Sequence, residues 1–168
     1  MRYAKIPERK ERPFRIPRLW FREGRLCNYA DRLSVPCEVL GTSREAALVF
    51  QECMKGLEEE ELWFIALDED CRARRVVRLA SGDAGEVRLD SSVVFRALAG
   101  SGCEAFVLGH NHPSGDPLPS PNDWIATALV LEGAGRRGVE LVDHVVMGDG
   151  VYVSMRVLNE PLFLRGLP

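Results

Sequence analysis

The chain has 168 residues, 46% hydrophobic and 28% charged, with a net charge of −3. That length fits one domain and is enough to bury about two thirds of the unfolded surface in a core. The composition excludes collagenous, coiled-coil and disordered chains, and no apolar run approaches the roughly 20 residues that span a bilayer.

The charge is unevenly spread. Residues 1–25 carry nine Lys/Arg against three Asp/Glu, a net +6, so the remainder carries −9. Such a basic arm is the one feature pointing to nucleic acid or another acidic partner, and the acidic body offers no basic groove. The start, MRYAKIPERKERPFRIPRLW, lacks the apolar stretch and small-residue cleavage site of a signal peptide, so a cytoplasmic location is expected and no membrane partner. The five cysteines (Cys27, Cys37, Cys53, Cys71, Cys103) are odd in number and contain no CxxC pair. They read as reduced thiols, most of them packed as small apolar groups, not as a disulfide framework or a cysteine zinc site.

In chain order, residues 1–16 read as irregular, with Pro7, Pro13 and Pro17 interrupting any helix. Residues 19–25 fit a short strand. Thr42 followed by Glu45 forms a capping-box pattern ahead of the apolar stripe Ala46, Leu48, Val49, Cys53 and Met54, and Gly56 ends that helix. LWFIAL at 62–67 is a buried strand, and residues 74–79 are its antiparallel partner across the turn Asp68-Glu69-Asp70. Ser91 or Ser92 caps a second helix that Gly100 stops. The strand EAFVLG, 104–109, delivers the chain to His110. Ser120 and Pro121 open a third helix reaching about Arg136, and VELVDHVVM, the turn Gly148-Asp149-Gly150 and VYVSM form a hairpin. The order α-β-β-α-β-α-β-β describes an α/β domain of α+β type, a mixed sheet flanked by helices.

The chemistry lies in HNHPSGDPLPSPND, residues 110–123. His110 and His112 are two apart at a strand end, so both imidazoles project to one side. Asp123 falls in the first turn of the next helix. Two imidazoles and one carboxylate suit zinc and leave a fourth position for water, as in a catalytic site. The competing reading is structural: Ser120 as an N-cap with Asp123 as a favourable first-turn acid. Spacing alone leaves both open.

The stretch resembles the JAMM motif of JAB/MPN metalloenzymes, in which HxH is followed after seven residues by Ser and after two more by Asp. The words HNHPSGDP and SPND resemble the RadC-like family in particular, as do SSVVFRAL, EAFVLG and LVDHVVMGDGVYVS. The likeness covers about residues 38–157. It implies a cytidine-deaminase-like MPN/JAB fold and a division into an N-terminal arm or extension (1–35), the metallohydrolase domain (36–160) and a tail (161–168).

The resemblance also implies roles. His110, His112 and Asp123 would hold Zn²⁺, whose bound water has its pKa lowered towards roughly 7. An upstream glutamate would act as general base and then acid. In RadC-like sequences it stands eight residues before the Asp or Asn that ends the strand; Asp68 fills that ending position, which selects Glu60. The run Glu58–Glu61 leaves Glu61 as the alternative, which strand alternation disfavours because a one-residue slip turns the side chain to the other face. Ser120 would donate a hydrogen bond to the tetrahedral oxyanion or hold the water. His144 is expected to support the sheet or site, not to ligate, and Asp116 is either a partner of the ligands or a turn former.

Two departures stand out. Relatives often read His-Pro-Arg where this chain has Leu89-Asp90-Ser91, and nothing in these residues resembles the helix-hairpin-helix module of long members. The implied activity is zinc-dependent metallopeptidase or isopeptidase hydrolysis of a peptide or isopeptide substrate. The alternative is a non-catalytic MPN-like scaffold or DNA-repair accessory protein.

Overall fold

A computed structural model describes residues 4–5, 40–82 and 91–164. Among the described residues, six strands form one mixed sheet in the order β1-β6-β5-β4-β2-β3. The strands are β1 (Ala4–Lys5), β2 (Glu61–Leu67), β3 (Ala73–Ser81), β4 (Ala105–Asn111), β5 (Glu140–Met147) and β6 (Val151–Ser154). The helices are α1 (Ser43–Met54), α2 (Ser91–Ala99), α3 (Pro121–Gly135), α4 (Met155–Leu158) and α5 (Glu160–Leu164). Among the described residues no helix is long and apolar enough to cross a membrane.

All seven residues of β2 are buried, because strand alternation sends them into two separate cores. Trp63, Ile65 and Leu67 join Val107, Val145 and Phe50 on the α1 face. Leu62, Phe64 and Ala66 join Leu108, Val146 and Val130 on the face covered by α2 and α3. This two-sided burial explains why LWFIAL reads as a continuous apolar run. Pairing is antiparallel between β4 and β2 and parallel between β4 and β5. The parallel pair requires a crossover, which α3 supplies. Its N-terminus therefore begins just beyond the C-terminal end of β4, where His110 and His112 lie.

Local signals account for the helices. Thr42 accepts the Glu45 N–H and the Glu45 side chain returns to the Thr42 backbone, completing the capping box. Gly56 follows α1 with φ +73°, the left-handed conformation that glycine adopts without penalty. Ser91 and Ser92 both lie inside α2.

Two expectations are corrected. Ala4 and Lys5 pair with Tyr152 and Val151, so residues 1–16 are not irregular throughout; a two-residue strand needs only backbone groups and leaves no periodicity in the sequence. VYVSM does not continue as strand: Ser154 accepts the Val157 N–H and caps α4. The residues from 161 begin within α5, and Phe163 is buried in the α3-side core. Cys53 and Cys103 are half-buried and Cys71 is exposed, all as free thiols, and burial pushes the Cys53 thiol up to about 12. The strand expected at 19–25, Cys27 and Cys37, and Leu89 and Asp90 lie outside the described residues.

Candidate metal centre

The end of β4 carries His110, Asn111 and His112 towards α3. Their ring and carboxylate atoms meet: His110 Nε2 lies 3.0 Å from His112 Nε2. Asp123 Oδ1 lies 3.4 Å from His110 Nε2, and Oδ2 lies 3.5 Å from His112 Nε2. With Glu60 the four side chains place one ligand atom each within 4.8 Å of one another. His110 and Asp123 are buried, while Glu60 and His112 are half-exposed, so the centre opens on one side to solvent.

The sheet register separates Glu60 from Glu61. Leu62 stands opposite His110, and continuing that antiparallel register sets Glu60 opposite His112, on the α3 face. Glu61 points to the other face, where it accepts from Trp63 Nε1 at 2.9 Å and pairs with Arg78 at 2.6 Å.

Asp123 and Ser120 form the cap that spacing allowed, and the same Asp123 carboxylate faces the two histidines. Ser120 is the N-cap of α3 and accepts the Asp123 N–H, while Asp123 Oδ2 accepts the Ser120 N–H at 2.6 Å. The cap thus aims the Asp123 carboxylate at both histidines. Burial alone would raise the Asp123 pKa, but the His110 and His112 rings, which donate to its carboxylate when they carry a proton on Nε2, hold it well below the usual carboxylate range. The hydrogen bond to Asp123 raises His112, against the opposing effect of burial.

His112 Nδ1 lies 2.7 Å from the Asp116 carbonyl. A carbonyl only accepts, so Nδ1 carries the proton, and neutral His112 presents a bare Nε2. Asp116 therefore orients the histidine through its backbone, while its carboxylate accepts from Leu118 N as a turn former. The loop is tied down at its far side, where Asp149 N donates to Gly115 O at 3.0 Å and His112 N to Met147 O at 2.9 Å.

His144 is fully buried, and its ring spans His110 Nδ1 at 2.9 Å and Thr127 Oγ1 at 2.7 Å. Burial lowers its pKa well below the ordinary histidine value. Asp143 serves a different corner, accepting from Ser154 Oγ, Arg156 N and His144 N. Asn111 and Thr127 escape the sequence reading. The signal for Asn111 is its place between the two histidines; for Thr127 it is a polar residue in the buried stripe of α3, four after Asp123.

The donor set fits a metal ion. Two imidazole nitrogens at 2.0–2.1 Å from a tetrahedral zinc stand about 3.3 Å apart, and the separations here run from 3.0 to 3.5 Å. Electron-rich donors crowded this closely repel unless a positive charge sits among them.

A mixed α/β domain with such a centre at the mouth of a parallel strand pair is a candidate metalloprotein of the JAMM type. The family profile described as RadC-like JAB domain matches residues 40–160, and the chain belongs to that family. It is 36% identical over 114 residues to a UPF0758 protein of Roseiflexus castenholzii, covering 67% of this chain and 48% of the relative. To the UPF0758 protein of Desulforudis audaxviator it is 30% identical over 116 residues, 69% of this chain and 50% of the relative. The Enterococcus faecalis protein is 32% identical over 122 residues, 73% and 52%. The chain thus spans about half the length of the curated relatives it matches.

Proposed function

We propose that the chain is a zinc-dependent hydrolase of amide or isopeptide bonds. The observation that carries this reading is the convergence of Glu60, His110, His112 and Asp123 within 4.8 Å, with Glu60 and His112 half-exposed to solvent. His110, His112 and Asp123 would hold a zinc ion through two neutral nitrogens and one carboxylate. Zinc in that setting supplies a Lewis acid that lowers the pKa of water from 15.7 towards about 7.

The protein's own groups do the rest. Glu60, immediately before β2, takes a proton from the attacking water and delivers it to the leaving amine as the carbon–nitrogen bond breaks. The Ser120 hydroxyl receives the Asp123 N–H, which leaves its own proton to donate to the developing oxyanion. The α3 cap fixes Ser120 and Asp123 and the end of β4 fixes His110, so little reorganisation of these groups accompanies reaction.

The test is hydrolysis of a panel of peptides and isopeptide-linked lysine conjugates by zinc-reconstituted protein. Turnover by wild type, lost in Glu60→Gln, supports the reading. Zinc-loaded protein that cleaves none of the panel while binding a partner protein or DNA moves the assignment to the scaffold class.

A further inference from the structure

Thr127 and His144 form a chain of hydrogen bonds behind the metal centre whose directions can be worked out from one fixed end. The Thr127 hydroxyl lies 2.6 Å from the Asp123 carbonyl. Two oxygens that close require a hydrogen between them, and a carbonyl has none, so the hydroxyl proton points at Asp123. The weak contact from Thr127 Oγ1 to Met155 Sδ, at 3.6 Å, does not compete for it. His144 Nδ1, 2.7 Å from the same hydroxyl oxygen, must then be the donor. A fully buried neutral imidazole has one N–H, so His144 Nε2 is bare and accepts from His110 Nδ1 at 2.9 Å. His110, with its proton committed to Nδ1, turns an unprotonated Nε2 towards Asp123 and His112.

We propose that Thr127 and His144 are positioning residues that lock His110 in its metal-binding tautomer, starting from the backbone of Asp123. The inference deepens the metal-site reading and rests on it. The arrangement closes on itself: the carbonyl of Asp123 fixes the proton positions of His144 and His110, while its carboxylate faces His110 from the other side. Thr127 lies one helical turn beyond Asp123, so α3 carries the ligand and the start of the relay on one face. Metal-bound histidines commonly owe their orientation to an acceptor on the second nitrogen, and losing such a partner costs 10- to 100-fold in metal affinity. Here that acceptor is another histidine, whose own tautomer a threonine sets.

The test combines ¹⁵N-histidine NMR with zinc affinity from chelator competition, on wild type, Thr127→Val and Thr127→Ser. The relay predicts that His144 carries its proton on Nδ1 in the metal-free and the zinc-loaded protein. Thr127→Val, nearly the same shape without the hydroxyl, loses that signature and binds zinc about 10- to 100-fold more weakly; Thr127→Ser retains both properties. A wild-type His144 protonated on Nε2 overturns the inference. So does a Thr127→Val protein that binds zinc within about twofold of wild type, or a Thr127→Ser protein as weak as it. If Thr127→Val does not fold, the wild-type and Thr127→Ser tautomers decide the question. If no variant binds zinc, the metal reading fails, while the His144 tautomer in the metal-free protein still decides the relay.

Discussion

The side-chain amide of Asn111 grips the chain on both sides of Glu60: Oδ1 accepts from Glu61 N at 2.9 Å, and Nδ2 donates to Glu59 O at 2.8 Å. An amide side chain thereby extends the β2–β4 pairing by one step. It fixes the carboxylate opposite His112 from a residue lying between the two candidate histidine ligands. Asn111→Ala leaves a buried N–H and a carbonyl without their partner. We expect a loss of about 1–3 kcal/mol in urea unfolding of the metal-free protein. Zinc stoichiometry stays at the wild-type value and any turnover falls, because the ligands remain while Glu60 loses its anchor.

Ser120→Ala separates the two duties of that serine. The lost N-cap costs about 1 kcal/mol of stability, measurable by thermal unfolding. An oxyanion donor removed at the same time lowers kcat by about 10²- to 10³-fold with metal retained. A variant destabilised by that amount but fully active confines Ser120 to capping.

Zinc binding is expected to weaken as pH falls, and the sign follows from His112. Its pKa is raised by Asp123, so in the metal-free protein it protonates at a higher pH than an ordinary histidine. A proton on Nε2 competes directly with the ion. Chelator competition across a pH series therefore shows affinity beginning to fall above the ordinary histidine value of about 6.5. The pair also stabilises the metal-free fold: the His112 contribution is present below its unfolded pKa and is lost as pH rises through the raised folded value. The Asp123 contribution is present above its unfolded pKa and is lost on acidification towards its depressed folded value.

Much of this architecture was legible because local signals agreed with the tertiary outcome. Thr42 with Glu45, and Ser120 with Pro121, announce helices that begin where those signals put them. The apolar run 62–67 marks a doubly buried strand. The HxH spacing and Asp123 are visible as a pattern, and the resemblance ranks Glu60 above Glu61; the register then sends the two glutamates to opposite faces. The relay is different. Thr127, His110 and His144 are separated by up to 34 residues, and only the packing of α3 on β4 and β5 brings them together. The β1 pairing leaves no trace either, since two residues carry no period. Ser154 did carry a capping signal, but it was absorbed into the apolar pattern of VYVSM.

Gly109 precedes His110 and lies under the ring of Phe50: a Cβ built there would fall 2.5 Å from Phe50 Cε2. Phe50 is itself fully buried in the α1-side core, so the ring has little room to move. Gly109→Ala therefore costs about 1–3 kcal/mol through overpacking. Because the strand must shift at the residue before a candidate ligand, zinc affinity is expected to fall as well; a denaturation curve and a chelator titration on the same protein check both.

The most direct test of the metal centre is zinc content, by inductively coupled plasma mass spectrometry, of wild type beside His112→Ala and Glu60→Gln. About one zinc per chain is expected in wild type, with loss in His112→Ala and retention in Glu60→Gln, since three candidate ligands remain when only the base is changed. Wild-type protein that holds no zinc after the metal is supplied, with its fold intact by circular dichroism, contradicts the metal centre.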